Sequence, residues 1–200
     1  MTENIVADSS FFCCCETDIR KREVLLLLMS KYDFFIGNKL QNEIPNSLLI
    51  DEVFVHSIYV KEEDFFELIR PFFKRSKKHE DDGEYEAIGI AYHLNEHYNL
   101  KFLILDDSVA YKFVKANFKD LSNKLTRTIG FIKNCCYIDK SLSPETTLKL
   151  LLEMKKAFET YETIISDRKV RPCSLDRKIY STILIPLITQ LQDDNKNGRI

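Results

Sequence analysis

Two hydrophobic patterns alternate along this chain: short unbroken apolar runs, and apolar stripes at helical spacing. Phe102-Leu103-Ile104-Leu105 is an unbroken run that stops at Asp106 and Asp107, and Ile5-Val6-Ala7 stops in the same way at Asp8. Such runs read as strands covered on both faces, as in a parallel sheet between helices. Further strands are predicted at 33–36, ended by Gly37, and within 121–126, while 53–60 reads as an edge strand or an irregular arm.

Between these runs the helical pattern takes over. A helix is predicted over 17–31, capped by Thr17 or Asp18, with 24–29 as its apolar part, and one or two turns over 38–44 before Pro45. The segment 62–78 carries a broad apolar face of Phe65, Phe66, Leu68, Ile69, Phe72 and Phe73. The segment 84–98 is the most amphipathic, with Ala87, Ile90, Ala91 and Leu94 on one stripe. Ser108 is expected to cap a helix over 108–118, and Thr126–Gly130 to turn into one through Cys136. Pro144 opens another to about Phe158, and Ser174 caps a last one to about Gln192. Phe11-Phe12 and Cys13–Cys15 begin a buried helix or loop under the sheet. The expectation is a three-layer α/β/α sandwich around a mainly parallel sheet, one domain over 1–192, with 193–200 a frayed polar tail.

Composition narrows the chemistry. Two hundred residues suit one domain. A net charge of −2 gives no global field for nucleic acid, so such a partner needs a local basic patch. No apolar run approaches the roughly 18–20 residues that span a bilayer, and the opening residues carry acids where a signal peptide carries bases, so a cytoplasmic protein without membrane contact is expected. The cysteines form a triplet, a pair and a single residue, none in CxxC spacing, and are expected to be buried reduced thiols. There is no P-loop, GxGxxG or GxSxG.

In open α/β sheets the functional crevice lies beyond the carboxyl ends of the strands. Asp8 and the Asp106-Asp107 pair stand there, and like charges gathered at one point call for a cation, which suggests a metal site. Glu86, four residues before Ile90 at the edge of the buried stripe, is expected to point inward near the strand ends, whereas Glu84 compensates the helix dipole. Glu43 on its own reads as a solvated charge. His93 and His97, with no third ligand spaced to join them, read as surface or interface residues. Lys74, Arg75, Lys77 and Lys78 form a dense basic run, either a solvated helix end or a phosphate-contacting patch. A receiver-like phosphoacceptor would need paired acids near the first strand, where Asp8 stands alone.

Several segments together resemble the PIN-domain family, in the subgroup found as partners of small antitoxins. Val6-Ala7-Asp8-Ser9-Ser10 is similar to its first acidic motif. Phe34-Phe35-Ile36 with Asn38–Ile44 resembles its second strand and the short helix ending in an acid. Gly83-Glu84-Tyr85-Glu86-Ala87-Ile88 resembles Gly-Glu-x-Glu-Ala-Ile, the second glutamate taking the third acidic place, and Leu103–Asp107 resembles the fourth motif. Thr126–Gly130 is similar to the subgroup's Gly-Thr-Leu-Gly turn, and Ser174–Tyr180 to its closing helix. The chain departs from the pattern at Ser9, where threonine is common, at Arg127, where glycine is common, and in the cysteine triplet.

The resemblance implies a Mg²⁺- or Mn²⁺-dependent phosphodiesterase acting on RNA or, less commonly, DNA, and it implies homodimers and an antitoxin peptide as partners. It implies Asp8 and Asp107 as metal ligands, Glu86 as a ligand directly or through water, and Glu43 as an outer acid that orients water. Ser10 would fix Asp8 or a metal-bound water. Asp106 would be a further ligand or, as favoured, the hydrogen-bonding support of its neighbour. Lys39, Arg127 and the 74–78 run would contact phosphate. The alternative is a PIN-like binding or regulatory protein that has lost turnover.

Overall fold

The computed structural model describes residues 3–73, 79, 82–163 and 171–197. Strand β1 (Glu3–Ala7) leads through helix α1 (Ser9–Cys13) and a π-helical turn, Cys14–Asp18, into α2 (Arg22–Met29). Strand β2 (Tyr32–Gly37) is followed by the short helices α3 (Asn38–Gln41), α4 (Asn46–Leu49) and α5 (Glu52–Ser57), and then by β3 (Ile58–Lys61). Helices α6 (Phe66–Ile69) and α7 (Gly83–His97) return the chain to β4 (Leu100–Ile104). Then come α8 (Ser108–Asn117), α9 (Lys119–Ser122) and the two-residue β5 (Leu125–Thr126). Helices α10 (Thr128–Tyr137), α11 (Pro144–Thr163), α12 (Arg177–Ile179) and α13 (Ile185–Lys196) complete the described chain.

The five strands pair in parallel in the order β3-β2-β1-β4-β5. Ile5, Val6 and Ala7 of the central strand are wholly inaccessible, so both faces of the sheet are covered there. Successive strand residues point to opposite faces, and β2 shows what covers each. The Phe34 ring packs 5.5 Å from Phe11 and 6.3 Å from Phe131, on the side of α1 and α10. Phe35 stacks instead on Tyr59, at 4.9 Å, and Gly37, on the same face, meets Glu86 of α7. Helix α7 crosses β2, β1 and β4. Helices on both faces of an all-parallel sheet are compatible with a three-layer arrangement.

The strand order contains one reversal. The chain leaves β1 for β2 and β3 on one side, and only later places β4 and β5 on the other. The direction therefore changes between β1 and β4, where diverging connections leave a crevice beyond the strand ends.

Several predicted elements differ from those observed. The helix expected over 17–31 is interrupted, because the π-helical turn draws Cys14 and Cys15 into the core and Arg20 takes a left-handed backbone (φ 54°), so α2 begins only at Arg22. The cap candidate Asp18 accepts the Cys173 amide at 2.6 Å instead. Pro71, lacking an amide hydrogen, ends the helix expected over 62–78: α6 gives way to a 3₁₀ turn at Arg70–Phe73. Lys74, Arg75, Lys77 and Lys78 lie outside the described residues.

The stretch 53–60 is divided, since Asp51 accepts the Phe54 amide (3.1 Å) and starts a helix, leaving Ile58–Lys61 as an edge strand. Asp107, not Ser108, caps α8, and Asp176, not Ser174, caps α12. Helix α13 continues past Gln192 to Lys196, so part of the expected tail is helical. The six cysteines form no disulfide, and all but Cys13 are buried.

Phe131 sits at the centre of the aromatic layer, its ring within 6.3 Å of those of Phe11, Tyr32, Phe34 and Phe102. Phe131→Ala should cost about 3–5 kcal/mol of unfolding free energy, read from the urea midpoint. Phe72→Ala, at a ring 45% exposed, should cost less than half as much.

Candidate functional site

At the end of β1, Asp8 is fully buried and has both carboxylate oxygens engaged by backbone amides. Oδ1 accepts from Phe11 (3.3 Å), which starts α1, and Oδ2 accepts from Asp106 (2.7 Å), which follows β4. Asp106, also buried, accepts from the amide and hydroxyl of Thr128 at 3.1 and 2.5 Å and so holds the start of α10. Its partner is thus Thr128, where the sequence favoured support of Asp107. Asp107 turns outward, and its Oδ1 accepts from Val109 and Ala110 at 2.8 and 2.7 Å.

Burial pushes the Asp8 carboxyl well above the usual carboxylate range, and the neighbouring Asp106 charge pushes further in the same direction. Burial also raises Asp106, against the pull of its Thr128 hydrogen bonds. The two acids resist losing both protons because the second charge would have to form unsolvated beside the first.

Three glutamates complete the surroundings. Glu43, past the end of α3, accepts from the Ser9 hydroxyl at 2.6 Å and from the Gly83 amide at 3.2 Å. A Cβ on Gly83 would lie 2.6 Å from the Glu43 Oε1, so glycine is what allows the start of α7 to approach this acid. Glu84 lines a cavity of about 520 Å³ together with Ser10, Asp106 and Asp107. Burial raises its carboxyl, and the charges of Glu43 and Asp107 add to the effect.

Glu86 is buried, as the helical stripe predicts, but it reaches the end of β2 and does not line this cavity. Its Oε2 accepts from the Lys39 and Leu40 amides (2.9 and 3.1 Å) that open α3, over Gly37, where a Cβ would lie 2.1 Å from the Glu86 Cδ. Residues two apart on a helix point to nearly opposite sides, so only one of Glu84 and Glu86 is able to face the cavity. Glu86 lies within the stripe that packs on the sheet and needs partners there. Glu84 lies at the rim.

The remaining candidates divide. Ser10 lines the cavity, while its neighbour Ser9 holds Glu43, a role the sequence did not disclose. Arg127 donates to the Asp106 carbonyl and to the Ser108 hydroxyl, with its guanidinium 4.9 Å over the Tyr111 ring, and so braces the loop after β4. Lys39 pairs with Asp64 at 3.5 Å over the Phe66 ring, on the α6 side. The far wall comes from the C-terminal part of the chain, where Tyr161, Arg171 and Asp176 face the acids. Asp176 falls in the Ser174–Tyr180 segment, but Tyr161 and Arg171 do not stand out in the sequence, because their approach depends on the turn Pro172–Ser174 packing back on α1.

The donors around the cavity are carboxylate and hydroxyl oxygens, the kind that hard divalent cations take. They fit such an ion in kind. Among the described residues no three His, Cys, Asp or Glu side chains are already grouped around one point as an ion site. The rings of His93 and His97 lie 4.9 Å apart, tilted by 51°, on the far half of α7. No described helix is long and apolar enough to cross a membrane. Comparison with protein-family models, with curated proteins and with solved structures gave no match.

The two glutamates of α7 should respond in opposite ways. Glu86→Ala leaves the buried Leu40 amide and the half-buried Lys39 amide without this acceptor and should cost about 1–3 kcal/mol. For Glu84, a raised carboxyl means that its ionisation opposes folding; the cost is absent below the ordinary glutamate value of about 4.3 and grows as pH rises through the folded value. Glu84→Gln should therefore melt higher than wild type at pH 7, with the gain fading toward pH 4, as followed by thermal unfolding across pH.

Proposed function

We propose that this chain is a PIN-like, divalent-cation-dependent phosphodiesterase that cuts RNA. The observation that carries this reading is convergence: Glu84 and Asp107 line the cavity where the strand order reverses, the charges of Glu43 and Asp107 act on Glu84, and Asp8 is buried close enough to feel Glu84. Asp8, Glu43 and Asp107 also hold backbone amides, but that role does not require a fourth acid, Glu84, beside them. Their mutual repulsion at Glu84 is what a bound cation would relieve.

Glu43, Glu84 and Asp107 are the residues that would hold Mg²⁺ or Mn²⁺, with Asp8 beneath them. When bound, such an ion supplies an activated water and neutralises charge on the phosphate. The chain's own contribution is positional. The Ser9 hydroxyl and the Gly83 amide orient Glu43. Asp8 fixes the spacing between the ends of β1 and β4. Arg171, on the opposite wall, offers a cation to the incoming phosphate.

A second reading is a PIN-like protein that binds without cutting. It is favoured by Asp8, whose oxygens are both occupied by amides, and by the absence of a ready-grouped ion site among the described residues.

The experiment uses the full chain with end-labelled RNA and DNA of mixed sequence, in Mn²⁺, Mg²⁺ or chelator. The phosphodiesterase reading requires RNA cleavage in metal that falls by about 10²-fold or more in Asp107→Asn and in Glu84→Gln. It also requires Mn²⁺ to raise the melting temperature, by mass action worth about 2.7 kcal/mol at a hundredfold excess over the dissociation constant. RNA retained without any cleavage above the chelator background would establish the second reading instead.

A further inference from the structure

The geometry points to a second subsite beside the acidic cavity, one that receives the flanking phosphates of a single-stranded nucleic acid through Arg20 and Lys156. The proposal rests on reading the acidic cavity as a phosphodiester site, and it names where the rest of the strand lies. A polyanion does not rest along Glu84 and Asp107 unaided, so its neighbouring phosphates must be received by cations outside that cavity.

A second cavity of about 520 Å³ opens between the π-helical turn and α11. Tyr161 lines both cavities. Of two consecutive residues, Arg171 faces the acidic cavity and Pro172 faces the second, so the two spaces adjoin across this short ridge. Arg20 and Lys156 stand in the second cavity, both exposed. Lysines near Lys156 on the same helix are paired, Lys149 with Glu145 and Lys155 with Glu159. Neither Arg20 nor Lys156 forms an ion pair among the described residues. Two acids also line the space, Glu153 and Asp18, and Asp18 is turned toward the Cys173 amide, which its Oδ2 accepts at 2.6 Å.

Arg20 takes a left-handed backbone (φ 54°) directly after the C-cap residue Ile19, which fixes where its side chain leaves the chain beside α11. Tyr161, on the shared wall, presents the kind of ring on which an unpaired base stacks without regard to sequence. A strand entering the acidic cavity past Arg171 would thus stack one base on Tyr161 and set its next phosphates on Arg20 and Lys156.

The test is fluorescence anisotropy of a fluorescein-labelled oligouridylate of about twelve nucleotides, within the span single-strand sites cover, in chelator so that nothing is cut. Arg20→Asn keeps a side chain tolerant of left-handed backbone, and Lys156→Gln lies on the solvent side of its helix. Together they should weaken binding about tenfold and flatten the slope of log affinity against log salt by about 1.4, or 0.7 per lost phosphate contact. Tyr161→Ala should weaken binding with the slope unchanged. Should the double variant melt below the assay temperature, Lys156→Gln alone must flatten the slope by about 0.7.

A wild-type protein that does not bind the probe, or variants whose affinity and slope match wild type, would overturn the proposal. A wild type that binds as described, with the slope change, yet cuts no RNA in Mn²⁺ would remove the phosphodiesterase reading and uphold the subsite.

Discussion

One buried carboxylate ties this structure together. Asp8 connects the end of β1 to the end of β4 through the Asp106 amide and, with its other oxygen, starts α1 through the Phe11 amide. A carboxyl group buried this completely is costly unless its oxygens find partners, and the two amides supply them. β1 and β4 are the neighbours between which the order of strand connection reverses, so this side chain continues their pairing past the ladder into the crevice. The Thr128 clamp on Asp106 and the Arg127 brace on its carbonyl extend the same network to α10.

The other acids around the crevice obey a similar rule. Asp107 holds the start of α8, Glu86 the start of α3 and Glu43 the start of α7. Each carboxylate sits where backbone amide hydrogens lack helical partners, which lowers the cost of placing so many negative groups near one another. Folding and site assembly are therefore the same event: an acid that lost its amides would leave the crevice, and amides that lost their acid would unravel a helix start. Glu84 is the exception. It has the charge without such a partner in a neighbouring helix, and its carboxyl is raised accordingly.

Asp8 and Asp107 are legible in the sequence because an unbroken apolar run followed directly by an acid has few interpretations in a parallel sheet. The choice between Glu84 and Glu86 is not. Both lie near the edge of the stripe of α7, and the roll of that helix is decided by Gly37, a distant residue whose missing Cβ leaves room for Glu86. The break at Arg20 carries no glycine or proline to announce it, and it is supported by Asp18 reaching Cys173 near the other end of the chain. Pro71, by contrast, is a visible stop signal inside the segment expected to be helical. Tyr161 and Arg171 look ordinary in sequence and gain meaning only where the chain returns to α1.

That return has a consequence in time. Asp8 meets the Asp106 amide across nearly a hundred residues, and the wall opposite the acids comes from Tyr161, Arg171 and Asp176. Chains emerge from the ribosome at about 5–20 residues per second, and contacts distant in sequence form slowly. A nascent chain released only as far as β4 would hold its acids without their far wall or the neighbouring cations, and it would remain so for several seconds. The crevice is thus among the last features of the molecule to be completed, and a walled pocket exists only after the C-terminal helices have docked.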